Sequence, residues 1–261
     1  RNQILISMMT RNEKGITIDI YSAELNFQKL NFVKVFETNE YWQEYNVFSG
    51  GRIDTFDNEN ILFSVGFSFV KNAAQDKKSL LGKIIKINLD LNTYEIVSIG
   101  HRNPQGLRFI KNQNLIINSE HGPKGGDEIN FNNLNYDNNK NYGWDIASYG
   151  EPYNGPNLFK KSHEEYGFIE PAIYFTPSIG ISEILYFEKN SFCNNKCVWA
   201  SSLRANSIYL LSFDKENKRL IMEDRIHLKR NRIRDIDYDK DLNMVILLSE
   251  NVPSIITLEK L

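Results

Sequence analysis

Long apolar runs are missing from this sequence. A stretch such as MVILLS, from Met244, falls far short of the roughly 20 residues a membrane-spanning helix needs, so no membrane span is expected. An excess of either charge is missing too. Lys and Arg number 31 against 33 Asp and Glu, a net of −2, and no basic stripe interrupts the balance. That excludes the electrostatic footprint of a nucleic-acid binder. Cysteine is scarce, with only Cys193 and Cys197 in CNNKC. No further ligands stand at zinc-site spacing nearby. A small disulfide closing this loop and two free thiols both fit the spacing.

Sustained helical periodicity is also lacking, and short β-type runs take its place. ILISMM, GITIDIYSAEL, FVKVFET, ILFSVGFSF, GKIIKINLD, YEIVSIG and NLIINSE are rich in β-branched and aromatic residues, with Asn, Asp and Gly between them. This composition predicts an all-β protein. The connections are mostly hairpin-length, which favours antiparallel meanders.

A weak repeat runs through these segments. GGRIDTFDNENILFSVG with GKIIKINLDLNTYEIVSIG makes four strands, and similar units open at NPQGLRFI, ISEILYF and RIRDIDY. A period of this length predicts propeller blades of four antiparallel strands. The chain opens and closes on sets of three strands, and it starts at Arg1 in mid-pattern. The expectation is therefore one propeller domain over residues 1–261. Five blades would be present in whole or part, and an N-terminal segment supplying a sixth would precede Arg1.

Five stretches carry a more specific message: AQDKKSLLGKI, GHRNPQGLRF, SEHGPKGGDEIN, NYGW and NRIRDI. Their content and spacing resemble the soluble quinoprotein sugar dehydrogenases, the six-bladed propellers of the glucose/sorbosone and aldose sugar dehydrogenase family. The resemblance covers the chain from about Gly50 to its end. It implies pyrroloquinoline quinone (PQQ) and calcium as cofactors, and oxidation of an aldose to a lactone. It also implies a periplasmic or secreted location and a monomer or homodimer.

PQQ is a flat tricarboxylate, which calls for planar, bidentate cationic donors. The resemblance assigns that role to Arg102 with Asn103 and Gln105, to Arg232 with Arg234, and to Arg204 where relatives have lysine. Arg232 and Arg234, two apart on one strand, share a face. Isolated arginines are more often solvated or in structural ion pairs, but four at motif positions favour a shared anionic ligand. The Gly122 and Pro123 carbonyls would hold calcium, a hard cation that seeks oxygen. Glu128 and Tyr142 match a second, structural calcium site. Asp127 and Glu128 fit equally a solvated loop that caps its own backbone, and Trp144 fits aromatic packing between blades.

One departure bears on activity. Relatives carry a base histidine four residues before the Arg of a Gly-Gly-Arg element, whereas this chain reads NVFSGGRI. Phe48 stands at that place, with Val47 one residue earlier, and neither accepts a proton. A later family element is altered to Val65, Gly66 and Phe67. His101 and His121 flank the motifs and either could be recruited, although a loop histidine without a catalytic task is the commoner case. The alternative function is a propeller that binds a sugar or a protein partner without turning it over.

Overall fold

A computed structural model describes residues 2–43, 49–136, 140–216, 218–251 and 253–259. Phe48 and Val47 lie outside the described residues. Two compact units make up the chain: residues 1–104 with 139–145, and residues 105–138 with 146–261.

The first unit holds two antiparallel meanders. β1 (Gln3–Asn12), β2 (Gly15–Glu24) and β3 (Val33–Glu37) form one. β4 (Gly50–Thr55), β5 (Asn60–Val65), β6 (Lys83–Asn88) and β7 (Thr93–Ile99) form the other. Their facing sides share one core, with Ile16, Ile18, Ile20, Phe36, Phe63, Val65, Ile85 and Ile87 buried together. β2 and β5 are covered on both faces: β5 reads as a nearly continuous apolar run, whereas β2 alternates Ile16, Ile18 and Ile20 with the buried polar Thr17 and Asp19.

Lys83 opens β6 and is fully buried. Its ammonium donates to the carbonyls of Ala73, Ala74 and Leu81 at 2.8, 3.0 and 2.8 Å. Burial pushes its pKa down to about 8. Three carbonyl acceptors use all three ammonium protons, so the loop over residues 73–81 is pinned to the strand that follows it.

The second unit holds three meanders. β8 (Pro104–Ile110), β9 (Leu115–Glu120), β10 (Asp127–Asn133) and β11 (Ile173–Phe175) make the first. β12 (Ile181–Phe187), β13 (Cys197–Ser202), β14 (Ser207–Phe213) and β15 (Leu220–His227) make the second. β16 (Ile233–Asp239), β17 (Met244–Ser249) and β18 (Ser254–Glu259) make the third. Among the described residues the only helical pieces are two 3-10 turns, Lys111–Gln113 and Glu164–Tyr166. The outermost strands behave as outer strands should: β15 is mostly exposed and β18 alternates.

The all-β reading and the blade-like meanders hold, and the arrangement is that of β-propeller blades. The count of six four-stranded blades does not hold. The described strands form five sheets, because β1–β3 and β16–β18 are each a separate meander of three strands. Cys193 and Cys197 form a disulfide that closes the turn between β12 and β13.

Candidate functional site

In the first unit, residues 100–103 link β7 to β8. Gly100 has φ +77, and a Cβ there would stand 2.2 Å from Asn141 Oδ1 and 2.7 Å from the Gly143 nitrogen. Only glycine admits that approach. The turn buries three polar side chains in succession. His101 is fully enclosed, with Nε2 2.8 Å from Ser98 Oγ and its ring stacked on Tyr142. Arg102 lies with its guanidinium 5.1 Å from the Trp144 ring centroid, a favourable placement for a cation over indole. Asn103 Oδ1 accepts the Gly50 N–H at 3.2 Å.

The Trp144 shelf is itself held from behind. Gln75 and Asn141 exchange amide hydrogen bonds in both directions, 2.8 and 3.2 Å, and Gln75 also donates to the Trp144 carbonyl. Phe67 packs edge-on against Trp144, and its N–H donates to the Arg102 carbonyl at 3.0 Å. Gln75 and Asn141 stand in AQDKKSLLGKI and NYGW, where the sequence pattern gives neither a task. The altered Phe67 proves to be a wall of this shelf.

In the second unit, Arg234 lies on β16 and Arg232 just before it, across a register shift at Ile233–Asp235, and both meet Glu250. Arg234 Nη2 is 2.6 Å from Glu250 Oε2, Arg232 Nη2 is 3.8 Å from Oε1, and Arg234 Nη1 reaches Gln105 Oε1 at 3.4 Å. The arginine pair thus already holds a carboxylate, and nothing in the local pattern around Glu250 announced it. The Arg204 side chain is exposed, while its N–H closes on the Ile179 carbonyl.

The acidic Gly-Pro loop is organised by Asp127, which is 1 % exposed. Its Oδ1 accepts the Gly122 N–H at 3.1 Å, and its Oδ2 accepts those of Gly180 and Ile181 at 2.7 and 3.1 Å. Asp127 therefore caps backbone, but from a buried position and partly for a distant segment, not as part of a solvated loop. The Pro123 carbonyl accepts from Ser178 Oγ at 3.3 Å. His121 sits at the loop's mouth, partly exposed, with Nδ1 4.0 Å from Asp127 Oδ1.

Glu128 is buried on β10 directly opposite Glu120 on β9. Like charges across a strand pair repel. Burial first, and the Glu120 charge second, hold the Glu128 carboxyl well above the ordinary value of 4.5. His163 lies 3.8 Å from Glu128 and 3.9 Å from Glu170, and burial pushes its imidazole down. Asn118 and Asn130 both donate to Glu120, and their own buried Oδ1 atoms receive no hydrogen bond. Among the described residues, no three His, Cys, Asp or Glu side chains gather as a ready metal site. Tyr142, buried on His101, belongs to the first unit.

A carboxyl whose folded pKa is raised keeps its proton in the native state after the unfolded chain has lost it. Stability then falls as pH rises from 4.5 through the folded value. Glu128→Gln should remove that slope and raise Tm in mildly alkaline buffer by about 2–4 °C per kcal/mol relieved. Thermal melts of both proteins across a pH series check it, and parallel curves would count against a strained Glu128.

Comparison with known proteins places the fold. The chain is 30% identical over 220 residues to the aldose sugar dehydrogenase YliI of Escherichia coli, covering 77% of this chain and 57% of that protein. It therefore spans little more than half the length of that curated relative. The crystal structure of the E. coli aldose sugar dehydrogenase in its apo form superposes with a TM-score of 0.81 at 24% identity, over 98% of this chain and 77% of that one. The PQQ-bound form of aldose sugar dehydrogenase from Streptomyces coelicolor gives 0.72 at 21%, over 98% and 75%. No helix among the described residues is long and apolar enough to cross a membrane. The family model described as glucose/sorbosone dehydrogenase matches residues 1–257, and the chain belongs to that family.

Proposed function

We propose that this chain is the PQQ-binding part of an oxidoreductase acting on aldose sugars. The observation that carries the reading is the buried Arg102 guanidinium lying over Trp144. A cation this enclosed, beside an aromatic face, suits a planar anion far better than it suits solvent. Within the second unit, Arg232 and Arg234 hold a carboxylate, Glu250, at a half-exposed position, which shows that this pair takes a carboxylate.

When bound, PQQ would supply the quinone that accepts the hydride of an aldose, and with it the two electrons of the oxidation. The chain's own contribution is binding and orientation. In the first unit Arg102 would neutralise a carboxylate, Asn103 offers an amide, and Trp144, backed by Phe67 and Gln75, keeps water from one face; in the second, Gln105 stands on Arg234. Arg232, Arg234 and the exposed Arg204 add charge. Calcium, a hard cation that seeks oxygen, belongs to the same proposal. The Gly122 and Pro123 carbonyls are the proposed ligands of one ion, and Glu128, with Glu120 opposite and donor-free amide oxygens nearby, suits a second. A lactone product and an extracytoplasmic location belong to the same proposal.

Phe48 favours a second reading, a propeller that binds a sugar or a protein without turnover. Titration with PQQ, with and without calcium, read by absorbance and thermal shift, tests the first reading at its root. Saturable binding with a rise in Tm is expected. The rise at 100-fold excess over Kd corresponds to about 2.7 kcal/mol. No binding in either condition would overturn the cofactor assignment. Calcium alone should raise the Tm of the wild type and leave Glu128→Gln less affected.

A further inference from the structure

The second unit has a groove that the cofactor reading does not use. It encloses about 730 Å³ between β11 and β15, each the outermost strand of its sheet, where the two sheets share one core. That size falls within the roughly 300–1,000 Å³ of small-molecule sites. None of the residues assigned to PQQ or calcium lines it.

Its floor is apolar. Phe175 and Tyr209 meet edge-to-face with centroids 5.4 Å apart, and Ile179 packs in the same core. Met222, opposite Leu211 in register, adds an exposed apolar wall. Tyr209 is 6 % exposed, yet its hydroxyl makes no hydrogen bond among the described residues. A phenol buried to that degree ordinarily has a partner, so the groove holds a polar group in want of one.

The rim carries both signs of charge. Arg225 stands directly opposite Tyr209 in the β14–β15 register, so the two side chains share a face. Its guanidinium meets no carboxylate among the described residues. Glu223 occupies the bulge of β15 beside Asp224. Ser212 bonds one oxygen of Glu223, and the Arg225 N–H donates to Asp224 Oδ1 at 2.7 Å. Each carboxylate keeps an oxygen for another donor.

Such a rim selects no ion, because its guanidinium and its carboxylates offset one another. It suits a neutral molecule that donates and accepts at many points and has an apolar C–H edge for the floor, which is the chemistry of a polyhydroxylated ring. Strand edges also invite extended peptides. Here β11 is three residues long and runs into Pro177, which has no N–H, and β15 is bulged. Both edges are thereby blunted against an added strand.

We propose that this groove binds a saccharide, its C–H edge against Met222 and the Phe175–Tyr209 pair. The sugar hydroxyls donate to Glu223 and Asp224 and accept from Tyr209 and Arg225. Trehalose, sucrose and methyl β-cellobioside are the probes, since none has a free anomeric hydroxyl to be oxidised. Each is titrated into the full chain by calorimetry without PQQ or calcium, and saturable binding of at least one is expected. Tyr209→Phe should weaken it roughly 2- to 10-fold and Arg225→Ala roughly 10- to 100-fold, as for a neutral and a charge-assisted hydrogen bond. A melt of each variant separates folding from binding, and Tyr209→Phe keeps the ring that fills the core. Adding PQQ and calcium should leave the sugar affinity unchanged, so this proposal and the cofactor reading fail separately. Binding of none of the three sugars, unchanged affinity in both variants, or displacement of the sugar by PQQ would each overturn the proposal.

Discussion

Phe48→His should raise aldose oxidation in the presence of PQQ and calcium by roughly 10²–10⁴-fold, the usual worth of a general base. Phe48 stands four residues before Arg52 in NVFSGGRI, where family resemblance implies the histidine that takes the proton of the sugar's anomeric hydroxyl. Benzene carbon cannot take that proton, so the native chain should oxidise sugars slowly at best. Dye-linked oxidation by wild type and variant, both saturated with cofactor, measures the gain. A variant that binds PQQ and stays inert would favour the non-catalytic reading. Brisk turnover by the wild type would point to another base. His121, partly exposed at the mouth of the acidic loop, is then the first to replace. His101 is fully enclosed against Ser98 and Tyr142.

Arg102→Ala should weaken PQQ binding by roughly 10- to 100-fold, the loss expected when a hydrogen bond to a charged group is removed. Arg102 is 4 % exposed, so solvent screens little of its interaction with an anion. Arg102→Lys keeps the charge but loses the plane that lies on Trp144, and should recover only part of the affinity. Fluorescence titration gives both constants, with a melt of each variant to separate binding from folding. Unchanged affinity in the alanine variant would remove Arg102 from the cofactor site.

Strand content was legible because β-branched runs between Asn, Asp and Gly leave little choice of local structure. The meander β4–β7 can be read almost to the residue for that reason. β11 could not be: it is three residues long and rejoins β10 only after residues 134–172, so its partner is set by tertiary packing alone. The sixth blade was a projection from two three-stranded ends onto a ring. At the site, arginines and the Gly-Pro loop stand out as types in context. Gln75, Glu250 and His163 did not, because each matters through a partner distant in sequence: Asn141, Arg234 and Glu128.

The anchoring of Lys83 has a consequence for covalent labelling. An amine that carries three carbonyls and is closed to solvent offers no lone pair to an acylating reagent. It can be modified only after the loop over residues 73–81 lifts away. That loop also brings Gln75 to the back of Trp144. Timed acetylation followed by peptide mass analysis would therefore make Lys83 a clock for the opening of this part of the molecule, ticking independently of any catalytic turnover.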